Sequence, residues 1–211
     1  QICCGALNTH NGESIAAKEM ARCNIDAFFA AGVDTVIVNA AGCGAAMKEY
    51  GYLLRDDPGY AEKAKKFAAM VKDAGEFLAE LGLIGKLAPL NMTVTYQDPC
   101  HLAHGQRIRS QPRQLIQAIP GLKLLEMEGA DRCCGSAGIY NLTHSAMSQD
   151  LLRDKMRSVS ATNAQAVVAP NPGCMLQLRY GARQYGPDIA VYHLMDLLDR
   201  AYAAAEAPSP P

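Results

Sequence analysis

Apolar and polar positions along this chain follow two periods, one helical and one of strand type, and their succession occurs twice. Ala16, Met20, Cys23, Ala27 and Ala30 recur at helical spacing and predict the buried stripe of a helix. Asn11-Gly12-Glu13-Ser14 places small polar and acidic residues at its start, and Gly32 closes it. The β-branched run Thr35-Val36-Ile37-Val38-Asn39 predicts a buried parallel strand. That strand ends at Ala40-Ala41-Gly42-Cys43, with a helix following through Met47 to Tyr50. Further on come a loop from Ser136 to Leu142 and a helix from about Ser145 with Leu152, Met156 and Val159 on one face. A strand Ala166-Val167-Val168-Ala169, a loop Asn171-Pro172-Gly173-Cys174 and a helix from Met175 to Arg183 complete the second succession.

Both halves thus read loop, helix, strand, cysteine loop, helix, an order that gives right-handed βαβ crossovers and a parallel sheet. A period of about 130 residues marks a duplicated domain, because solenoid repeats are about 20–50 residues long. The expected fold is α/β, with two pseudo-symmetric, Rossmann-like parallel-sheet halves. Between them a long amphipathic helix is predicted over Tyr60 to Leu81, with Phe67, Val71, Ala74, Leu78 and Leu81 on one face and Gly82 as its stop. Gly85 to Asn91 reads as a connector, which divides the chain into residues 1–85 and 86–211. In the second part Thr93-Val94-Thr95-Tyr96, Lys123-Leu124-Leu125-Glu126 and Ile189-Ala190-Val191-Tyr192 read as further strands. A last helix carries Leu194, Leu197 and Leu198, and the Ala/Pro-rich end from Ala203 is expected to fray.

Composition narrows the function classes. The 211 residues are 49% hydrophobic and 19% charged, enough for real cores. A net charge of −1 supplies no field for nucleic acid or anionic lipid, and the absence of tryptophan argues against a stacking platform. No apolar run is long enough to span a bilayer. No glycine-rich nucleotide fingerprint, carboxylate pair or nucleophile–base signature stands out, so no catalytic residue is assigned.

The cysteines change the picture most. Cys3-Cys4-Gly5 recurs as Cys133-Cys134-Gly135, and each pair is followed about forty residues later by a Gly-Cys, at Cys43 and at Cys174. Cys100 precedes the second pair in Asp98-Pro99-Cys100-His101. Adjacent cysteines do not readily bridge each other, and the chain can build cores without staples, so a reducing cytoplasm is expected. In the second half each cysteine lies at or beyond a strand end, where ligands of open parallel sheets gather. Cys100, Cys133, Cys134 and Cys174 can therefore converge, and four thiolates suit a [4Fe-4S] cluster or zinc. Buried free thiols are the plainer alternative. Cys23, on the apolar stripe, is expected in the core.

Asp98-Pro99-Cys100-His101-Leu102-Ala103-His104-Gly105-Gln106, Cys133 to Leu142, Cys3 to Leu7 and Asn171-Pro172-Gly173-Cys174 resemble the C-terminal cysteine-rich half of the glycolate oxidase iron–sulfur subunit. The duplicated CCG pattern is shared with heterodisulfide reductase subunits, lactate-utilisation proteins and the small subunit of anaerobic glycerol-3-phosphate dehydrogenase. The resemblance implies an electron-transfer subunit of a glycolate dehydrogenase complex, not catalytic by itself, with ligands at Cys100, Cys133, Cys134 and Cys174. It implies FAD in a partner glycolate oxidase subunit, an N-terminal ferredoxin-like domain outside this sequence, and a quinone or membrane-associated acceptor. It places the protein in the cytoplasm or at the inner face of the membrane.

The first CCG copy is expected to be truncated, its leading cysteine lying upstream of Gln1, which leaves Cys3, Cys4 and Cys43 as a weaker metal set. Cys174-Met175-Leu176-Gln177 lacks the second cysteine of the wider CxxC motif, which argues against a heterodisulfide-reductase-like thiol/disulfide role. A zinc-stabilised scaffold is the non-catalytic alternative. His101 and His104 are expected to donate hydrogen bonds near the centre, His10 and His144 to cap loops, Arg107, Arg109 and Arg113 to form a solvated face, and the methionines to fill cores.

Overall fold

The computed structural model describes residues 1–206. The chain divides after Ala74 into two compact units. In the first, helix α1 (Ala6–His10) and helix α2 (Ser14–Ala30) lead to strand β1 (Val36–Val38). Helices α3 (Ala41–Lys48), α4 (Tyr50–Leu53) and α5 (Ala61–Met70) follow, then strand β2 (Val71–Asp73). β1 and β2 pair in parallel, Val36 opposite Val71 and Val38 opposite Asp73. Among the described residues β1 has a strand on its β2 side alone. The core gathers Ala21, Ile25, Met47, Leu54 and Phe67 around Tyr50, whose ring stacks on Phe67 at 5.5 Å.

Two expectations fail here for physical reasons. The buried face of α2 is Ala17, Ala21, Asn24 and Ile25, one position round from the expected stripe, and Cys23 is exposed rather than in the core. A polar residue, Asn24, sits at the centre of the buried face, so periodicity in apolar residues points to the wrong side. The long helix expected over Tyr60 to Leu81 is interrupted at Val71, whose backbone is extended (ψ 125°). Unpaired strand groups on β1 need partners, and Val71-Lys72-Asp73 supply them instead of continuing the helix. β1 itself is not buried throughout, since Ile37 remains half exposed.

Helix α6 (Ala74–Leu81) follows at the division, and its Leu78 and Ala79 pack on the second unit's core. Strand β3 (Met92–Tyr96) leads to a π-helical turn (His101–Gly105), helix α7 (Ser110–Ala118) and strand β4 (Leu122–Leu124). Helices α8 (Tyr140–Thr143) and α9 (Ser145–Ala161), strand β5 (Ala166–Val168) and helix α10 (Pro172–Tyr185) come next. Strand β6 (Ala190–Tyr192) and helix α11 (Leu194–Glu206) end the described chain. The sheet is four parallel strands in the order β4-β3-β5-β6. Its faces are covered separately. Val167 on β5 packs with Leu152, Met156 and Leu178 from α9 and α10, while Ala166 and Val168 pack with Leu115, Ile116 and Leu197 from α7 and α11. Each such fully buried aliphatic side chain contributes about 1.5–3 kcal/mol.

The chain is α/β with parallel sheets in both units, as the repeated pattern implies. The third expected strand starts one residue early, at Leu122. The loop after Cys133-Cys134 contains α8, and α7 was not anticipated, although its buried Pro112, Leu115 and Ile116 fall at helical spacing. The end expected to fray is helical as far as Glu206, and residues 207–211 lie outside the described region. Among the described residues no helix is long and apolar enough to cross a membrane.

Candidate metal centre

In the second unit the chain winds from β3 to one side as β4, then crosses to the other as β5. The gap between the carboxyl ends of β3 and β5 is thus a topological switch point, where open parallel sheets hold their ligands. β3 runs into Gln97-Asp98-Pro99-Cys100, β5 into the turn that carries Cys174, and the connection from β4 to α9 brings Cys133 and Cys134.

Each approach is fastened. Asp98 is buried and takes two hydrogen bonds from Arg113 (2.9 and 2.8 Å), which also grips Glu126 at 2.6 Å and lies over the Tyr96 ring. The Asp98 amide donates to the Ala130 carbonyl (3.0 Å), and Gln97 Nε2 donates to the carbonyls of Asp98 and Arg132. These bonds pin the Cys100 segment to the loop that bears Cys133. Arg113 is therefore an internal clamp, not part of the solvated face expected of it. Exposed Arg109 pairs with Asp131 at 3.1 Å, and His104 also bonds the Asp131 carbonyl. His101 Nδ1 lies 3.7 Å from Cys100 Sγ.

Gly135 turns the Cys-Cys pair inward. Its φ of +90° belongs to the left-handed region, and a Cβ there would lie 2.4 Å from the Ser148 carbonyl oxygen. The freed amide donates to Cys133 Sγ at 3.3 Å. Ser148 Oγ donates to the Gly135 carbonyl (2.7 Å) and accepts from Gln177 Nε2 (3.1 Å). Cys174 sits in the first turn of α10, where Pro172 starts the helix and the unpaired amides favour negative charge. Asn171 Nδ2 donates to Cys174 Sγ at 3.4 Å.

Cys100, Cys133, Cys134 and Cys174 lie near enough to bias one another's protonation, each with its neighbour in that order. The thiol of Cys100 donating to it holds Cys133 low, with help from Cys134 and the Gly135 amide. Cys174 is held low by the Cys134 thiol and by Asn171. Cys100 and Cys134 are pushed up by the neighbouring sulfurs, Cys133 above all, and by burial. Lys155, itself buried, sends its ammonium to the Gly129 and Ala130 carbonyls (2.7 and 3.3 Å); burial lowers it to about 8 while the Cys134 side draws it back up. Among the described residues no three His, Cys, Asp or Glu side chains close on one point as a single-ion site would require. The donor set nonetheless fits a thiolate-ligated centre: four sulfurs at a switch point, with the Gly135 amide and the Asn171 side chain aimed at two of them.

The first unit repeats the loop with different fastenings. Gly5, at φ +77°, donates to Cys3 Sγ at 3.5 Å. The Cys4 thiol lowers Cys43 to about 7 and is itself pushed up. Buried Asn24 donates to the Cys3 carbonyl (3.0 Å) and to Tyr50 Oη, which donates to the Cys4 carbonyl at 2.8 Å. Cys3, Cys4 and Cys43 line a cavity of about 340 Å³ with Phe28, Val38 and Asn39.

Sequence reasoning missed Asn24, Ser148, Lys155, Asn171 and Gln177. The available signal was a polar residue interrupting a buried helical face, at Asn24 and again at Lys155. His144 occupies the N-cap position of α9 without a capping hydrogen bond; its ring stacks on Tyr140 at 4.3 Å. Met147 is exposed, so not every methionine is core.

A doubly wound parallel sheet whose switch point is lined by a glycine-hinged cysteine pair and two single cysteines defines a cysteine-rich α/β domain. The chain belongs to the CCG family: the cysteine-rich domain matches residues 1–48, which hold Cys3, Cys4 and Cys43, and 94–179, which hold Cys100, Cys133, Cys134 and Cys174. It is 46% identical over 202 residues to the "Probable glycolate oxidase iron-sulfur subunit" of Bacillus subtilis, covering 94% of this chain and 46% of that protein. It is 31% identical to the "Glycolate oxidase iron-sulfur subunit" of Escherichia coli, over 94% of this chain and 48% of that protein. It is 30% identical to "Lactate utilization protein A" of Lysinibacillus sphaericus, over 94% of this chain and 87% of that protein. The chain thus spans less than half the length of the first two.

Proposed function

We propose that this chain is the cysteine-rich part of an iron–sulfur subunit in a glycolate dehydrogenase complex. Cys100, Cys133, Cys134 and Cys174 hold a [4Fe-4S] cluster, which when bound supplies one-electron transfer. The observation that carries this reading is the delivery of Cys100, the Cys133-Cys134 pair and Cys174 to one switch point, with donors aimed at the sulfurs of Cys133 and Cys174. The similarity to two glycolate oxidase iron–sulfur subunits supports the choice of complex. The oxidation of the hydroxy acid belongs to a flavin-containing partner, and the electrons leave toward quinone. Each unit is one CCG repeat. The first, with Cys3, Cys4 and Cys43, offers three sulfurs on the same loop geometry.

The chain's own residues have defined tasks. The amide of Gly135, the side chain of Asn171 and the N-terminus of α10 offset negative charge on sulfur. Burial of Cys134 and Cys174 keeps water from one side of the site, while Cys100 and Cys133 remain partly open for electron entry.

Anaerobically purified full-length protein should contain iron and sulfide, with about four irons assigned to this centre, and an EPR signal on reduction. Loss of that signal in Cys134→Ser, with the first unit's cysteines intact, would locate it. Protein that carries no iron, and takes up none on reconstitution, would overturn the proposal. One zinc per chain held by the same four cysteines would favour a scaffold instead.

A further inference from the structure

Helices α2 and α9 are both 17 residues long and follow equivalent Cys-Cys-Gly loops, so their residues can be compared one for one. The fourth residue is Ala17 in one and Ser148 in the other, each facing the loop glycine. The eleventh is Asn24 in the first and Lys155 in the second. Both are buried. Both hydrogen-bond backbone carbonyls of the cysteine loop: Asn24 reaches Cys3, and Lys155 reaches Gly129 and Ala130. The mechanical task is the same, and a neutral amide performs it in the first unit. A neutral side chain would have sufficed in the second.

What Lys155 adds is charge. Among the described residues it is the buried lysine or arginine. It borders a small crevice with Cys133, Arg132 and Asp154. It faces Cys133 and Cys134 electrostatically, and it acts on Cys174 as well. The other charged groups near it are Arg132 and Asp131, and Asp154 of the same crevice, which pairs with Arg157 at 2.7 Å. Arg132 is well exposed, and Asp131 is neutralised by Arg109. Charge in a site screened from water acts more strongly than at the surface.

We propose that Lys155 is the built-in counter-charge of the second thiolate centre, a positioning residue that sets its reduction potential, and that the first unit lacks this device. The inference rests on the reading of the second unit as an iron–sulfur site. A fixed positive charge stabilises the more negative, reduced form, so removing it lowers the potential.

The test uses full-length protein purified without oxygen, compared as wild type, Lys155→Gln, Lys155→Met and Ser148→Ala. Wild-type protein without iron would end the iron–sulfur reading and is recognised before any variant is made. Gln keeps a donor for the loop carbonyls and loses the charge; Met loses both; Ser148→Ala removes a neutral fastening of the same loop. The expected result is a more negative midpoint potential in both Lys155 variants, by EPR-monitored titration, with a smaller shift in Ser148→Ala, which reports loosening of the loop alone. Loss of the centre from folded Lys155 variants, with Ser148→Ala retaining it, supports the same conclusion. A wild-type potential in a loaded Lys155 variant overturns it. So does an equal shift in Ser148→Ala, or failure of both Lys155 variants to fold, since either makes the role one of fastening alone.

Discussion

Gly5 and Gly135 occupy the same place in two copies of one loop, and their surroundings differ. A Cβ on Gly5 would meet Ala17 at 3.4 Å, an ordinary contact, so Gly5→Ala is charged mainly with the left-handed backbone, about 1 kcal/mol. A Cβ on Gly135 would meet the Ser148 carbonyl at 2.4 Å, a backbone atom that cannot swing aside. Gly135→Ala should therefore cost about 3 kcal/mol and displace the Cys133-Cys134 pair. Urea unfolding of the two variants would check this, and equal losses would contradict it. The cysteines were legible from sequence because adjacent Cys-Cys-Gly strings are rare and recur. Asn24 and Lys155 were not, because a polar residue on a buried helical face breaks the period by which that face is found.

Between elements, the arrangement hangs on a few clamps. Arg113 on α7 joins the end of β3, through Asp98, to the end of β4, through Glu126. Asp98 is nearly without water, so Arg113→Ala leaves a buried carboxylate unpaired. The expected loss is about 3 kcal/mol, with the Cys100 segment loosened from the Cys133 loop. Thermal melting together with the reactivity of Cys100 toward an alkylating agent would measure both effects; a neutral result would show that the clamp is idle. Strong elements such as α9 and β5 could be read from pattern because their apolar residues lie on single faces. The run Val71-Lys72-Asp73 could not, since three residues fit a helix or a strand equally well and only the neighbouring β1 decides. The same holds for α7, whose signal is short and lies between two loops.

For the molecule as a whole, the two-fold repetition and the poorer cysteine set of its first half were legible, and the strand count of each half was not. Among the described residues one unit carries a four-stranded sheet and the other a two-stranded one. The proton inventory of the second site sets its dependence on pH. Cys100 and Cys134 hold protons in the metal-free protein, and ligation must expel them. Protons are thus released on loading, and loading weakens as pH falls. Reconstitution in weak buffer should acidify the solution, and the loaded fraction at fixed iron should fall as the pH is lowered. Loading independent of pH would contradict the assignment of protons to these two thiols.

The lone pairing of β1 has a further meaning. Along its other side run amides and carbonyls that no strand among the described residues satisfies, beside a half-exposed Ile37. Such an edge is adhesive by nature, because main chain recognises main chain with little regard for side chains. With three residues it offers only a short grip, enough to seat a strand delivered in the right place and too little to hold one arriving by chance. On the first unit, β1 therefore presents a three-residue open edge beside Ile37, too short to bind another chain strongly by main-chain pairing alone.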